Sequence, residues 1–196
     1  SHCLAFSHKS IVYKNENYTI LPKIIFGAKA FHLSANSQNK SIKSFFKSQL
    51  KNFRDSNEIL ISFGEIDCRK NEGILTYALK NKKDIIEVCK ETIIKYLDFT
   101  EETLYDSFSK RYYFGIPAPT FAVDKLDELD KKRIILIREF NNIMKGEVLR
   151  RGSSFLDSYA LTSKNGFNNN LYMNDEYHLH SKCLSILFNK YLYENK

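Results

Sequence analysis

Residues 58–69 read EILISFGEIDCR, and the reading of this stretch decides the fold. A short apolar run ends on Phe63 and stops at Gly64. Bounded by glycine, it reads as a buried strand, since a helix needs roughly ten residues or more of 3.6 period. A glycine in that place lets the backbone turn and exposes its amides. Four side chains with chemistry follow at once. Glu65 and Asp67 read as holders of neighbouring loops, with Arg69 as their counter-charge; a plain turn closed by a salt bridge fits the same residues. Cys68 reads as a packed thiol, because no His stands near it in the sequence.

Working outward, apolar runs alternate with stretches of helical period. PKIIFGA (22–28) is a β-like run ending on Gly27. Residues 40–53 carry Ile42, Phe45, Phe46, Leu50 and Phe53 on one helical face. Residues 82–97 and 124–147 repeat that pattern as longer helices. RYYFGIPAP (111–119) is a strand closed by prolines, which continue neither a ladder nor a helix. SSFLDSYA (153–160) reads as a last short strand containing Asp157. A polar loop over 163–170 then leads through NDEYHL (174–179) into a closing helix expected to run to about Tyr193. Strand alternating with helix predicts a mainly parallel sheet covered on both faces. Ligands of such sheets bind at the carboxyl ends of the strands. Gly27, Gly64 to Arg69 and Pro117 to Pro119 all fall there.

The chain has 196 residues, enough for one full core and too few for two comfortable domains. No repeat and no low-complexity tract interrupts it. No apolar run approaches the roughly 18 residues of a membrane span, and the opening residues do not read as a secretory signal. The net charge of +7 is compatible with a nucleic-acid partner. The lysines, however, alternate with acids in helical stretches such as KNKKDIIEVCKE, and no nucleic-acid motif accompanies them. A solvated surface and no nucleic-acid partner are therefore expected. The four cysteines, Cys3, Cys68, Cys89 and Cys183, lie far apart without Cys-x-x-Cys spacing. That scatter favours reduced, buried thiols, a cytoplasmic setting and no metal site.

Asp175 and His178 stand three apart, which lets a carboxylate reach an imidazole nitrogen and leaves the other nitrogen to take a proton from a hydroxyl. The same spacing fits a helix N-cap at Asn174 or Asp175, and Asp175 can do both. His180, two residues on, faces elsewhere and has no acid three before it. At the other end, a Ser that opens a short helix presents its hydroxyl and amide at a positive helix end. That geometry suits a nucleophile, and an ordered terminal Ser fits as well.

In this order the pieces resemble the SGNH (GDSL-type) hydrolases, in particular a bacterial branch with Gly-Asp-Ser-His and Phe-Gly-Glu-Ile-Asp-Cys-Arg blocks. SHCLAFS looks like the end of the first block, FGAKAFHLS like the second, and SFGEIDCR is the most specific match. GIPAPT, REFNNIMK, GSSFLDSYAL and NDEYHLH follow in the expected order. The resemblance implies a flavodoxin-like three-layer α/β/α sandwich, one domain over residues 1–196. It implies Ser1 as nucleophile, His178 as general base and Asp175 as the group that orients it. The amides of Ser1 and Gly27 would bind the oxyanion. No metal and no organic cofactor is implied.

Two departures matter. The family's third block has Asn two residues after its Gly as an oxyanion donor, and Ile66 stands there with nothing to donate; one such donor is worth on the order of 3 kcal/mol. Lys29 or an Asn within residues 168–170 are candidate substitutes. The sequence also starts at the Ser, without the family's first, central strand, so either residues precede Ser1 or the chain is a fragment; a nucleophile with its own terminal amine as base is a third possibility. The expected activity is a serine esterase that removes a small acyl group, acetyl foremost, from a carbohydrate or similar polar ester. An O-acyltransferase using the same triad, and a catalytically silent binding module, are the alternatives.

Overall fold

The computed structural model describes residues 6–34, 40–51, 57–121, 126–175 and 177–194. Lys14 and Asn15, both at positive φ (52° and 63°), turn the first of these segments into a hairpin. Its strands β1 (Ser10–Tyr13) and β2 (Glu16–Thr19) pair antiparallel, as a turn with two left-handed residues favours. A short helix α1 (Ala30–Leu33) and the amphipathic α2 (Lys40–Leu50) follow. Strand β3 (Glu58–Ile61) comes next, then a 3₁₀ turn (Ile66–Cys68), α3 (Gly73–Lys80) and α4 (Ile85–Leu104). The second half comprises β4 (Lys110–Phe114), α5 (Glu128–Arg150), β5 (Ser154–Leu156) and α6 (Ser158–Thr162), then the small hairpin β6 (Ser163–Lys164) and β7 (Phe167–Asn168), α7 (Cys183–Lys190) and β8 (Leu192–Tyr193). The long helices start where the sequence offers caps. Asp84 accepts the amides of Ile86 and Glu87 at the head of α4, and Asp127 with Asp130 forms a capping box on α5.

The central sheet runs β3-β4-β5-β8, the first three parallel and the last antiparallel. Side chains alternate across it. Ile61, Tyr113 and Phe155 face a core built with α4 and α5, through residues such as Ile93, Tyr96, Ile137 and Phe140. Tyr112, Phe114 and Leu156 face a second core shared with α7, Leu161 of α6 and the first hairpin. The fold is therefore α/β, a mainly parallel sheet between two layers, as the alternation of runs predicts. The second layer is thin, because one helix and a hairpin carry most of it.

Four expectations need correction. PKIIFGA is not a strand: residues 22–28 enter no ladder among the described residues and line the cavity beside β3. SSFLDSYA is a strand only to Leu156; Asp157 is the N-cap of α6, accepting the Ala160 amide at 2.9 Å. The closing helix begins at Cys183, well after NDEYHL, and ends at Lys190. Leu192 and Tyr193 then pair with Leu156 and Phe155 as the sheet's antiparallel edge. The residues of 40–53 that hold α2 stop at Leu50, and Phe53 lies outside the described residues.

Candidate active site

A cavity of about 400 Å³ runs along β3, all four residues of which line it, and reaches past the strand's carboxyl end to the Gly64 turn. Gly27, Gly64, Glu65, Arg69 and His178 line it together with apolar residues such as Ile24, Ile61 and Ile116. Three backbone segments hold these residues, and each is fixed by identifiable bonds.

The first is the continuation of β4. Asn141, buried on α5, accepts the Ile116 amide at 2.8 Å and donates to the Ile116 carbonyl at 3.0 Å. Ser158 donates to the Gly115 carbonyl, and Thr162 accepts the Ala118 amide. These side chains do for Gly115–Ala118 what a neighbouring strand does elsewhere: they satisfy backbone groups that burial would leave orphaned.

The second is the turn after β3. Gly64 has φ +112°, and an added Cβ would sit 2.5 Å from the Phe140 ring of α5. Only glycine lets the chain turn this close to the helix. The 3₁₀ turn that follows buries Asp67 completely, and its carboxylate accepts the amides of Ala30 (2.7 Å) and Phe31 (3.1 Å) at the start of α1. Burial pushes the Asp67 carboxyl up to about 6, against the pull of those two amides. Glu65 points to Arg69, whose guanidinium donates from Nε at 3.1 and 3.2 Å and from Nη2 at 2.8 Å. Glu72 adds an ion pair to Lys29 at 2.8 Å and a longer one to Arg69 at 3.6 Å. The Lys29 ammonium holds the Glu72 carboxyl below its usual range. So residues 64–72 tie the Gly27–Phe31 segment to the turn after β3 twice, through Asp67 and through Glu72. Gly27 itself sits at φ +63° with nothing within 4 Å of where a Cβ would be, so its face toward the cavity is open.

The third segment is NDEYHL. Asp175 Oδ1 accepts the amides of Tyr177 and His178, both at 2.8 Å, and Oδ2 meets His178 Nδ1 at 2.7 Å. An ionised carboxylate can only accept, so Nδ1 carries the proton and the basic lone pair falls on Nε2. Partial burial raises the Asp175 carboxyl, but the His178 ring and the two amides outweigh it and hold it at about 2. The loop closes on itself through the Asn174 amide to the His178 carbonyl (2.7 Å) and the His180 amide to the Tyr172 carbonyl (2.8 Å). His180 turns its Nδ1 to the Lys182 amide, a local cap on the approach to α7.

Sequence reasoning singled out Gly27, Gly64, Glu65, Asp67, Arg69, Asp175 and His178; five of them line the cavity, Asp175 is bonded to His178, and Asp67 is buried. Ser1 lies outside the described residues, as does Cys3. Asp175 serves as both cap and orienting group, although what it caps is a turn and not a helix. Lys29 is engaged with Glu72, and the side-chain amides of Asn168 and Asn169 donate to the carbonyls of Ala118 and Leu161. Three contributors went unread. Asn141 was visible as a polar residue in helical step with Ile137 and Met144. Glu72 stands one turn beyond Arg69. Tyr177 lies 5.1 Å from the Arg69 guanidinium, a contact no sequence spacing announces.

No family model matches the chain, and no curated protein matches it. Among solved structures, LAE5, an alpha/beta hydrolase enzyme from the metagenome of Lake Arreo, Spain, is similar at a TM-score of 0.46 and 11% identity. The alignment covers 76% of this chain and 65% of that one. A likeness this loose carries no argument about chemistry, which rests on the geometry above. Among the described residues, no helix is long and apolar enough to cross a membrane.

Proposed function

We propose that the chain is a serine esterase of the SGNH type, which removes a small acyl group such as acetyl from a carbohydrate or similar polar ester. The observation that carries this reading is the Asp175–His178 pair. It is preset in its tautomer by a tight turn, and His178 lines the cavity that Gly27 and Gly64 share. Ser1 is the nucleophile in this reading. His178 Nε2 takes the Ser1 proton as the hydroxyl oxygen attacks the ester carbonyl, and the Ser1 and Gly27 amides bind the oxyanion. Collapse expels the alcohol, which takes its proton from His178. Water, deprotonated by the same ring, then releases the acid and restores Ser1. The lining joins apolar residues, which suit the acyl side of the ester, with Glu65, Arg69 and His178, which suit the polar alcohol. No metal or organic cofactor enters this scheme.

A silent binding module is the second reading, favoured by Ile66 on the cavity wall, where a side-chain oxyanion donor is expected. Turnover of p-nitrophenyl acetate separates the two. The esterase reading expects His178→Ala to lower turnover about 10³-fold or more while the denaturation midpoint stays close to the parent's. A folded parent chain without turnover contradicts it.

A further inference from the structure

We propose that Arg69 is a positioning residue for His178 and acts through the ring of Tyr177. The loop that carries His178 is irregular, and most of the hydrogen bonds around its tip run within it, from Asp175 to Tyr177 and His178 and from Asn174 back to His178. Such bonds fix the loop's shape but not its place relative to the turn after β3. The Arg69–Tyr177 contact spans that gap: the guanidinium carbon lies 5.1 Å from the ring centroid, within the range of a cation–π stack.

Arg69 is well held for this task. Glu65 grips one edge of its fork with three short contacts, and Glu72 approaches the other side. Its turn is anchored by Asp67 to α1 and by Arg133 of α5, which donates to the Cys68 carbonyl at 3.0 Å. Arg69, Glu65, Glu72 and Lys29 sum to zero formal charge. The group therefore offers Tyr177 a fixed planar face more than a net field at the imidazole. Lysine keeps the charge but has neither the fork for Glu65 nor the face for the ring. Because a displacement of about 1 Å at a general base can cost on the order of 10²-fold in rate, a stack next to His178 bears on the chemistry without touching substrate.

The catalytic part of this inference rests on the esterase reading; the positional part does not, and the test separates them. Three variants are compared: Arg69→Lys, Tyr177→Leu and Tyr177→Phe. In the resting protein, amide hydrogen exchange of Tyr177 and His178 is expected to quicken at least about 10-fold in the first two and to stay near the parent's in Tyr177→Phe, with the amides of α5 unchanged as the folding control. With p-nitrophenyl acetate, the first two are expected to lose about 10-fold in kcat with KM within about twofold, and Tyr177→Phe to keep most of its kcat. Exchange in Tyr177→Leu equal to the parent's overturns the proposal. So does Tyr177→Phe exchanging as fast as Tyr177→Leu, which would assign the role to the hydroxyl. Quickened exchange in a parent without esterase activity upholds the positioning and sinks the esterase reading alone.

Discussion

Asp67 is fully buried, and its two oxygens take the two amides that open α1. Losing those acceptors leaves two donors unpaired, one of them buried. Asp67→Ala is therefore expected to lower stability by about 2–4 kcal/mol, read from urea melts at pH 7. The pH dependence has a definite sign. Burial lifts this carboxyl to about 6, above its ordinary range, so the folded chain keeps a proton the unfolded chain has released. Between about pH 4 and pH 6 the folded state binds more protons, and this group makes stability fall as pH rises through that window. Asp67→Asn should lack that slope, so the difference in stability between variant and parent changes across the window. Parallel curves for the two proteins across the window would contradict the assignment.

At the scale of elements, the turn after β3 carries the strongest sequence signal and, at Ile66, a departure from the pattern it resembles. Ile66 lines the cavity at the position where the resemblance expects a donor, and its side chain has none to offer. Ile66→Asn is expected to raise kcat toward p-nitrophenyl acetate by about 10-fold or more, since one such donor is worth 10²–10³ where it is native. Unchanged kcat in a folded variant would show that the site does not lack a donor. Elements read correctly from sequence were those with an unambiguous period or boundary. β3 and β4 are apolar runs ended by Gly64 and by the 117–119 prolines, and α4 and α5 hold their period across several turns behind Asp caps. The errors lie where tertiary partners decide. Leu192 and Tyr193 continue the apolar pattern of α7, and only the open edge of β5 makes them a strand. Residues 22–28 look like a strand but enter no ladder among the described residues. Asp157 carried a readable cap signal, hidden inside an apolar run. At the site, the three-residue spacing of Asp175 and His178 was legible because it is local. The Arg69–Tyr177 stack was not, because it joins two loops distant in sequence.

For the molecule as a whole, the sheet collects the site. Parallel β3 and β4 end side by side, α5 pins both continuations through Phe140 against Gly64 and Asn141 against Ile116, and the last loop returns to set His178 over them. Much of the basic charge is met locally by acids, as in Arg150 with Glu147 and Lys131 with Glu128 on α5 and Lys110 with Glu58 across the sheet. The central proposal is a nucleophile at Ser1 served by His178. Labelling the folded protein with a fluorophosphonate, followed by peptide mapping, measures this. The expected result is one covalent adduct per chain, on Ser1, with labelling at least about 10²-fold slower in His178→Ala. An adduct on another residue, or labelling of Ser1 that His178→Ala leaves unchanged, would contradict it.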